Sequence, residues 1–319
     1  MPAIAGRSSC WCVASPTGVS QTRAPYDRGV PASLDEVVGL LNLEQLEVGL
    51  FRGSQPEGSE LPRVFGGQVA AQALMAAQLT VPDERHVHSL HLYFILGGDP
   101  SIPIVYDVEN VRDGGSFTTR RVAARQHGEI IFYMTASFQV VEDGWDHQDS
   151  MPDVPSPDDS MPLTDVIGGR GSEAAEFWDR EWSSFDMRYI GDNRAEDDPQ
   201  RKLVPVVQRL WFRADGKLPD SQIVHNAAFT YISDLSLLGA SLVPHSTFIG
   251  APDVQAASLD HVIWFHRPVV ADQWLLYDQT SPSASGARGL STARVFTEDG
   301  TLVATVAQEG LIRRVTQRG

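Results

Sequence analysis

Three polar residues stand in apolar surroundings in the second half of this 319-residue chain: Asp234, Ser258 and Gln308. Asp234 lies within YISDLSLLGASL, a segment of helical spacing. An ionised carboxylate facing a core costs several kcal/mol unless paired or hydrogen-bonded, and where one is kept it can accept a proton as a general base. Ser258 opens the apolar run LDHVIWF. No Gly-x-Ser-x-Gly elbow or activating base marks it as a covalent nucleophile, but its hydroxyl can both donate and accept. Gln308 interrupts the strand-like VATVAQEGLI, and its amide can hold a water without titrating. Each also has an ordinary explanation: an Asp on an exposed helix face, a Ser turning into a strand, a strand Gln facing solvent. The residues alone leave these open. His261 and His266 are five apart in a strand and so point to opposite faces, which argues against a shared metal; neither a metal nor a cofactor is expected.

The elements that must position these residues occur twice. Residues 65–139 and 225–313 each run as an apolar helical segment followed by four strand-like segments. Aligned on Gly128 and Gly300, the last strands set Ala136 opposite Gln308. The helices set Ala73 opposite Asp234 to within about a residue. A duplicated scaffold with polar residues in one copy implies one working site and one structural half.

Ser33 caps a short helix, with Asp35 and Glu36 in its first turn. Residues 43–52 read as a strand and 53–62 as loop. Residues 66–80 form a helix whose Ala and Gly content suits close packing on a sheet, with strands at 86–96, 103–111, 116–125 and 129–141. The second copy repeats the order: strand 204–213, helix 223–242 with Asp234 in its middle, then strands 258–266, 273–279, 289–297 and 301–313. The fold class is α+β. Each antiparallel sheet buries one face on a long helix, and the two sheets can pair edge to edge. The expected organisation is a disordered extension over 1–32, a first unit over 33–145, an acidic linker over 146–200 and a second unit over 201–319. The linker reads as loop with one helix near 172–182.

The formal net charge is −16, and residues 146–200 alone hold fifteen Asp or Glu against four Lys or Arg. That balance argues against nonspecific nucleic-acid binding. No apolar run approaches the ~20 residues of a membrane span. Cys10 and Cys12 suit two free thiols in a reducing compartment, and the absence of a secretory core segment in 1–32 points to the cytoplasm.

The pattern resembles the acyl-CoA thioesterase II family. The matching stretches are LFRG (50–53), VFGGQVAAQAL (64–74), RRVAARQ (120–126), FYMTASFQ (132–139), YISDL (231–235), SLDHVIWFHRP (258–268), SASGARG (283–289) and QEG (308–310). The resemblance covers about 34–315. It implies a double hotdog, two tandem units each with a long central helix wrapped by an antiparallel sheet, that hydrolyses fatty acyl-CoA and assembles as a homo-oligomer. It also implies that Asp234, Ser258 and Gln308 jointly hold the reacting water. Ser258 stands where the family is expected to carry Thr, and Leu96-Gly97 where its first halves often carry Arg-Pro. Backbone amides near the start of a buried helix are expected to receive the oxyanion. Candidate cations for CoA phosphates are Arg63, Arg112, Arg120, Arg121, Arg267 and Arg288, and candidate tunnel-lining residues are Phe65, Met75, Leu237 and Trp264. Two other readings fit the architecture. One is a hotdog enoyl-CoA hydratase, for which Asp220 and His225 have the spacing but lack the intervening Asn-Pro. The other is an acyl-CoA binder without chemistry.

Overall fold

A computed structural model describes residues 33–56, 61–169, 171–193 and 206–315. The expected extension over 1–32, with both cysteines, lies outside them.

Two helices lie at the centre, each entered from a loop and covered by strands. α1 (Leu34–Leu41) is capped by Ser33, whose hydroxyl accepts the Glu36 amide. β1 (Glu44–Glu47) and β2 (Leu50–Gly53) form a hairpin where one strand was expected. Gly49 takes a positive φ of 74° between them, a conformation glycine adopts without strain. α2 (Gly66–Gln78) is followed by β3 (His86–Phe94), β4 (Ile104–Asp113), β5 (Phe117–Gln126) and β6 (Glu129–Gln139).

In the acidic stretch, α4 (Ser172–Trp182) stands where the helix was expected. Beside it are β7 (Met161–Pro162), α3 (Leu163–Gly168) and an unforeseen strand, β8 (Phe185–Asp192). The acidic composition hid an alternation: Phe185 and Met187 point into the core, and β8 pairs with β9 as part of the second half's share of the sheet. The stretch is thus more than a connector.

β9 (Val206–Ala214) leads to α5 (Gln222–Ser233), which stops eleven residues into the expected span. A 3-10 stretch, Leu237–His245, follows. Tyr277 explains part of that stop: its hydroxyl donates to the Ser233 carbonyl at 2.9 Å, an acceptor a continuing α-helix would use four residues on. Taken together, α5 and the 3-10 stretch, Gln222–His245, match a membrane span by length and composition, although polar residues interrupt the run. Within it, 72% of the most apolar 18-residue window is buried inside the protein, where the sheet wraps it.

The remaining strands are β10 (Val254–Ser258), β11 (Asp260–Phe265), β12 (Leu275–Ser285), β13 (Arg288–Thr297) and β14 (Leu302–Arg314). They complete one 14-stranded sheet, joined where β3 and β11 pair antiparallel from Asp260 with Tyr93 to Trp264 with Ser89. The expected edge-to-edge union is therefore present. α2 packs against α5 with small side chains: Ala70, Ala71, Ala73, Ala76 and Ala77 are at most 1% exposed. A Cβ on Gly67 would collide with the Tyr231 carbonyl, so the closest approach is helix to helix rather than helix to sheet.

Candidate active site

Asp234 is the residue just past the end of α5, not a mid-helix residue. Its side chain is 5% exposed and faces the first half of the chain. The Gln308 amide donates to its Oδ1 at 2.5 Å, and the Gly67 N–H at the start of α2 donates to the same carboxyl. Phe94 and Asp234 both crowd Gly66: a Cβ there would lie 2.8 Å from Asp234 Oδ2 and 2.8 Å from the Phe94 ring. Burial against such neighbours pushes the carboxyl up to about 7, against the downward pull of the Gln308 and Gly67 hydrogen bonds. The group is thus poised to exchange a proton near neutrality.

Gln308 is 0% exposed, on the inner face of β14. Its partner in register on β13 is Ser291, also fully buried. Neither Gln308 Oε1 nor Ser291 Oγ has a hydrogen-bond partner among the described residues. Buried polar groups are nearly always satisfied, so this pair marks a place built for polar company.

Ser258 ends β10 and pairs with Gly310, two residues beyond Gln308 on the same strand. Cross-strand partners share a face, so Ser258 lies on the same side as Gln308 at a diagonal of roughly 7–8 Å between backbones. The ladder breaks immediately after it. Leu259 donates its amide to the Glu309 carbonyl, and the Asp260 carboxylate accepts the Glu309 amide. The half-buried Ser258 hydroxyl bonds to no described residue. Ser258 and Gln308 therefore share the inner face of the sheet, and Asp234, at the end of α5, touches Gln308.

Two contributors were not anticipated as site residues. Gly66 and Gly67 bring the first half's helix onto Asp234; their only sequence signal is a glycine pair at a helix start. His261 is fully buried, with Nε2 2.9 Å from Ser233 Oγ and Nδ1 3.8 Å from Asp234 Oδ1. His266, by contrast, bonds Thr305 on the outer face.

Several expectations are corrected. Arg120 is 2% exposed and ties Thr80 and Asp113 together, so it is unavailable to a phosphate. Arg121 and Arg288 remain at the surface, paired with Glu109 and Glu309, and Arg267 pairs with Asp146. Trp264 lies on the outer face against His91, not in an acyl tunnel. His225 Nδ1 accepts the Ala271 amide at 3.1 Å, a structural task that removes it from a hydratase pairing.

The architecture and its inner-face site define the class. A conserved protein of unknown function with a hot dog fold, from Alicyclobacillus acidocaldarius, superposes with a TM-score of 0.70 at 21% identity, over 88% of this chain and 98% of that one. The chain is a double hotdog. Family models described as acyl-CoA thioesterase and acyl-CoA thioesterase N-terminal domain match residues 191–311 and 56–139. Acyl-coenzyme A thioesterase 8 of Mus musculus is 38% identical over 94% of this chain and 97% of its own length. An acyl-CoA thioesterase II of Mycobacterium marinum is 44% identical with a TM-score of 0.74, over 88% of this chain and 99% of that one. The chain belongs to the acyl-CoA thioesterase II family.

Proposed function

We infer that the protein hydrolyses fatty acyl-CoA to free fatty acid and CoA with a water activated at Asp234. The observation that carries the residue assignment is the buried carboxyl at the end of α5, held by Gln308 and Gly67 and poised near neutrality. Ionised Asp234 takes a proton from the water as the water oxygen bonds to the thioester carbonyl carbon. Gln308 orients the carboxylate, and the Ser258 hydroxyl helps fix the water. Positioning of this kind supplies much of the rate. As the C–S bond breaks, protonated Asp234 returns its proton to the departing sulfur. The first turn of α2 offers backbone N–H groups and the positive end of a helix dipole for the oxyanion.

The reaction needs the ionised carboxylate at the outset, so activity rises with pH through about 7. The test is thiol release from acyl-CoAs of graded chain length, with Asp234→Asn beside the native protein and the Cys10 and Cys12 thiols subtracted. Release that depends on Asp234 supports the assignment. Release that survives the substitution sinks it. Acyl-CoA binding with no release from any substrate favours the noncatalytic reading.

We further propose that copies associate through the outer face where the two half-sheets join. Tyr93, Tyr133 and Trp264 stand 60%, 38% and 38% exposed there on β3, β6 and β11, an aromatic band in an acidic molecule. Light scattering on the native protein and on Trp264→Glu reads this directly. A monomer in both removes the proposal.

A further inference from the structure

One buried titratable group beside the carboxyl has no part in the chemistry above. His261 lies on β11, fully buried. Its Nε2 meets Ser233 Oγ, and Ser233 directs its single hydroxyl proton at the Thr230 carbonyl, 3.0 Å away. Ser233 Oγ must then accept from the imidazole. The ring proton therefore sits on Nε2, and Nδ1 carries a bare lone pair. Nδ1 has no donor among the described residues and faces Asp234 Oδ1 at 3.8 Å. Burial holds the ring neutral, so this approach is not an ion pair. Two acceptors face each other, an arrangement that repels an ionised carboxyl and suits a protonated one.

The first half shows what the fold itself requires at this place. Continuing the register from Val262–Ala307 by one residue puts His261 beside Gln308. The equivalent pair in the first half is Leu90 with Ala136, both fully buried. A leucine satisfies the packing there, so the imidazole calls for another explanation.

We propose that His261 is a positioning residue for hydrolysis: a neutral imidazole, held by Ser233 as the Nε2–H tautomer, that turns a bare nitrogen on Asp234 and favours the proton-carrying form of that carboxyl. This rests on the assignment of Asp234 as the base. A base that has taken a proton from water must keep it until the C–S bond breaks, and His261 biases Asp234 toward keeping it. The other groups facing this carboxyl are the Gln308 amide from β14 and the Gly67 amide from α2. Tyr277 of β12 lies one residue back, bound to the Ser233 carbonyl, with its own ionisation pushed far above neutrality by burial. None of these titrates near neutral pH; Gln308 and Gly67 donate to the carboxyl and favour its ionised form, so His261 is the polar neighbour that favours the protonated one.

The experiment compares pH profiles of kcat/KM for the native protein, His261→Asn, His261→Gln, Ser233→Ala and Asp234→Asn. Asn puts an amide at the level of Nδ1 and can turn an N–H on the carboxyl. Gln reaches Ser233 and leaves nothing at Nδ1. The acid limb is expected to move down by about one unit in His261→Asn and by less in His261→Gln. kcat should fall about tenfold with KM within about twofold. Nitrogen-15 NMR of the native protein, assigned by the signal lost in His261→Gln, is expected to show the Nε2–H tautomer. An Nδ1–H tautomer overturns the proposal, as does an acid limb that stays put in folded His261 variants. If neither His261 variant folds, Ser233→Ala decides: it frees the ring to turn an N–H on Asp234 and must lower the limb. Should Asp234→Asn still hydrolyse, the base assignment itself fails. A dead Asp234→Asn with unmoved limbs removes only His261.

Discussion

The last strand of each half shows two uses of one scaffold. On β6, Ala136 sits between Leu90 of β3 and Arg120 of β5. On β14, Gln308 sits between His261 of β11 and Ser291 of β13. In the first half the buried polar groups at the equivalent places are consumed by structure, although Arg85 Nε and Nη1 lack partners among the described residues. Arg120 binds Thr80 and Asp113, Gln72 binds Leu40, Ser54 and Tyr106, and Gln126 binds Asp99 and Ile102. In the second half Gln308 Oε1, Ser291 Oγ and His261 Nδ1 lack partners among the described residues. Each such atom costs about 1–3 kcal/mol. The packing of the first half, joined through a shared sheet and a shared helix interface, offsets that cost and lets the second half hold reactive groups out of water. The division is incomplete, since Gly67 of the first half donates to Asp234.

The comparison breaks most sharply at Asp234. Asp234→Asn is expected to lower thioester hydrolysis by about 10²–10⁴-fold with acyl-CoA binding retained, measured by thiol release and by titration. The same variant should be more stable than the native protein in alkaline buffer. Folding raises the Asp234 pKa from 3.8 to about 7, so its contribution to stability is full below 3.8 and lost as pH rises through about 7. Asn does not ionise. The gap in Tm between variant and native protein should open between acid and about pH 8, reaching a few kcal/mol in ΔG at most. A gap that stays constant with pH would mean that Asp234 is not a strained buried carboxyl. Gly66→Ala tests the first half's share. Its new Cβ would press on Asp234 Oδ2 and Phe94, and a displaced base costs about 10²-fold in kcat. Circular dichroism should show the helix intact, because Ala is the better helix former.

Much of this was legible in the sequence because the signals were periodic or repeated. The helices, most strands of both halves and the Ala-rich interior of α2 follow from spacing of 3.6 and 2. The duplicate alignment pointed to Gln308 before any geometry was known. What escaped depended on contacts between distant segments. Nothing local stops α5 at Ser233; part of the cause is Tyr277, forty-four positions away. β8 hid in an acidic stretch because only Phe185 and Met187 of its eight residues reach the deep core. Arg120 read as a surface cation because sequence does not reveal that Thr80 and Asp113 will close over it. Gly66 and Gly67 act on Asp234 of the opposite half, and His261 acts on Ser233 and Asp234 at the end of α5, contacts that no single segment announces.

Exchanging the equivalent pair sharpens the contrast. Gln308→Ala removes a hydrogen bond that lowers the Asp234 pKa, so the acid limb of kcat/KM should move up in pH, with about 10–100-fold lost at neutrality. The reciprocal Ala136→Gln places an amide at a fully buried site beside Leu90 and Arg120. It should cost about 2–4 kcal/mol in urea unfolding through overpacking and an unsatisfied amide, and should restore no hydrolysis to Gln308→Ala. Restoration would mean that the first half holds a second reactive site.

The smallest effect is expected at Ser258, the least constrained of the three. Its partner Gly310 has no side chain, and Leu238 fills the space where a Cβ would go. Ser258→Thr keeps the hydroxyl and adds one methyl at a half-buried strand end, so hydrolysis should stay within about threefold of native. Ser258→Ala removes the hydroxyl and should lose about tenfold or more, mainly in kcat, if that group helps hold the water. The ratio between the two variants isolates the hydroxyl from the volume change. If Thr and Ala are equally slow, shape at the break between β10 and β11 matters and the hydroxyl does not. Ser258 would then belong with the structural positions of the first half rather than with Asp234 and Gln308.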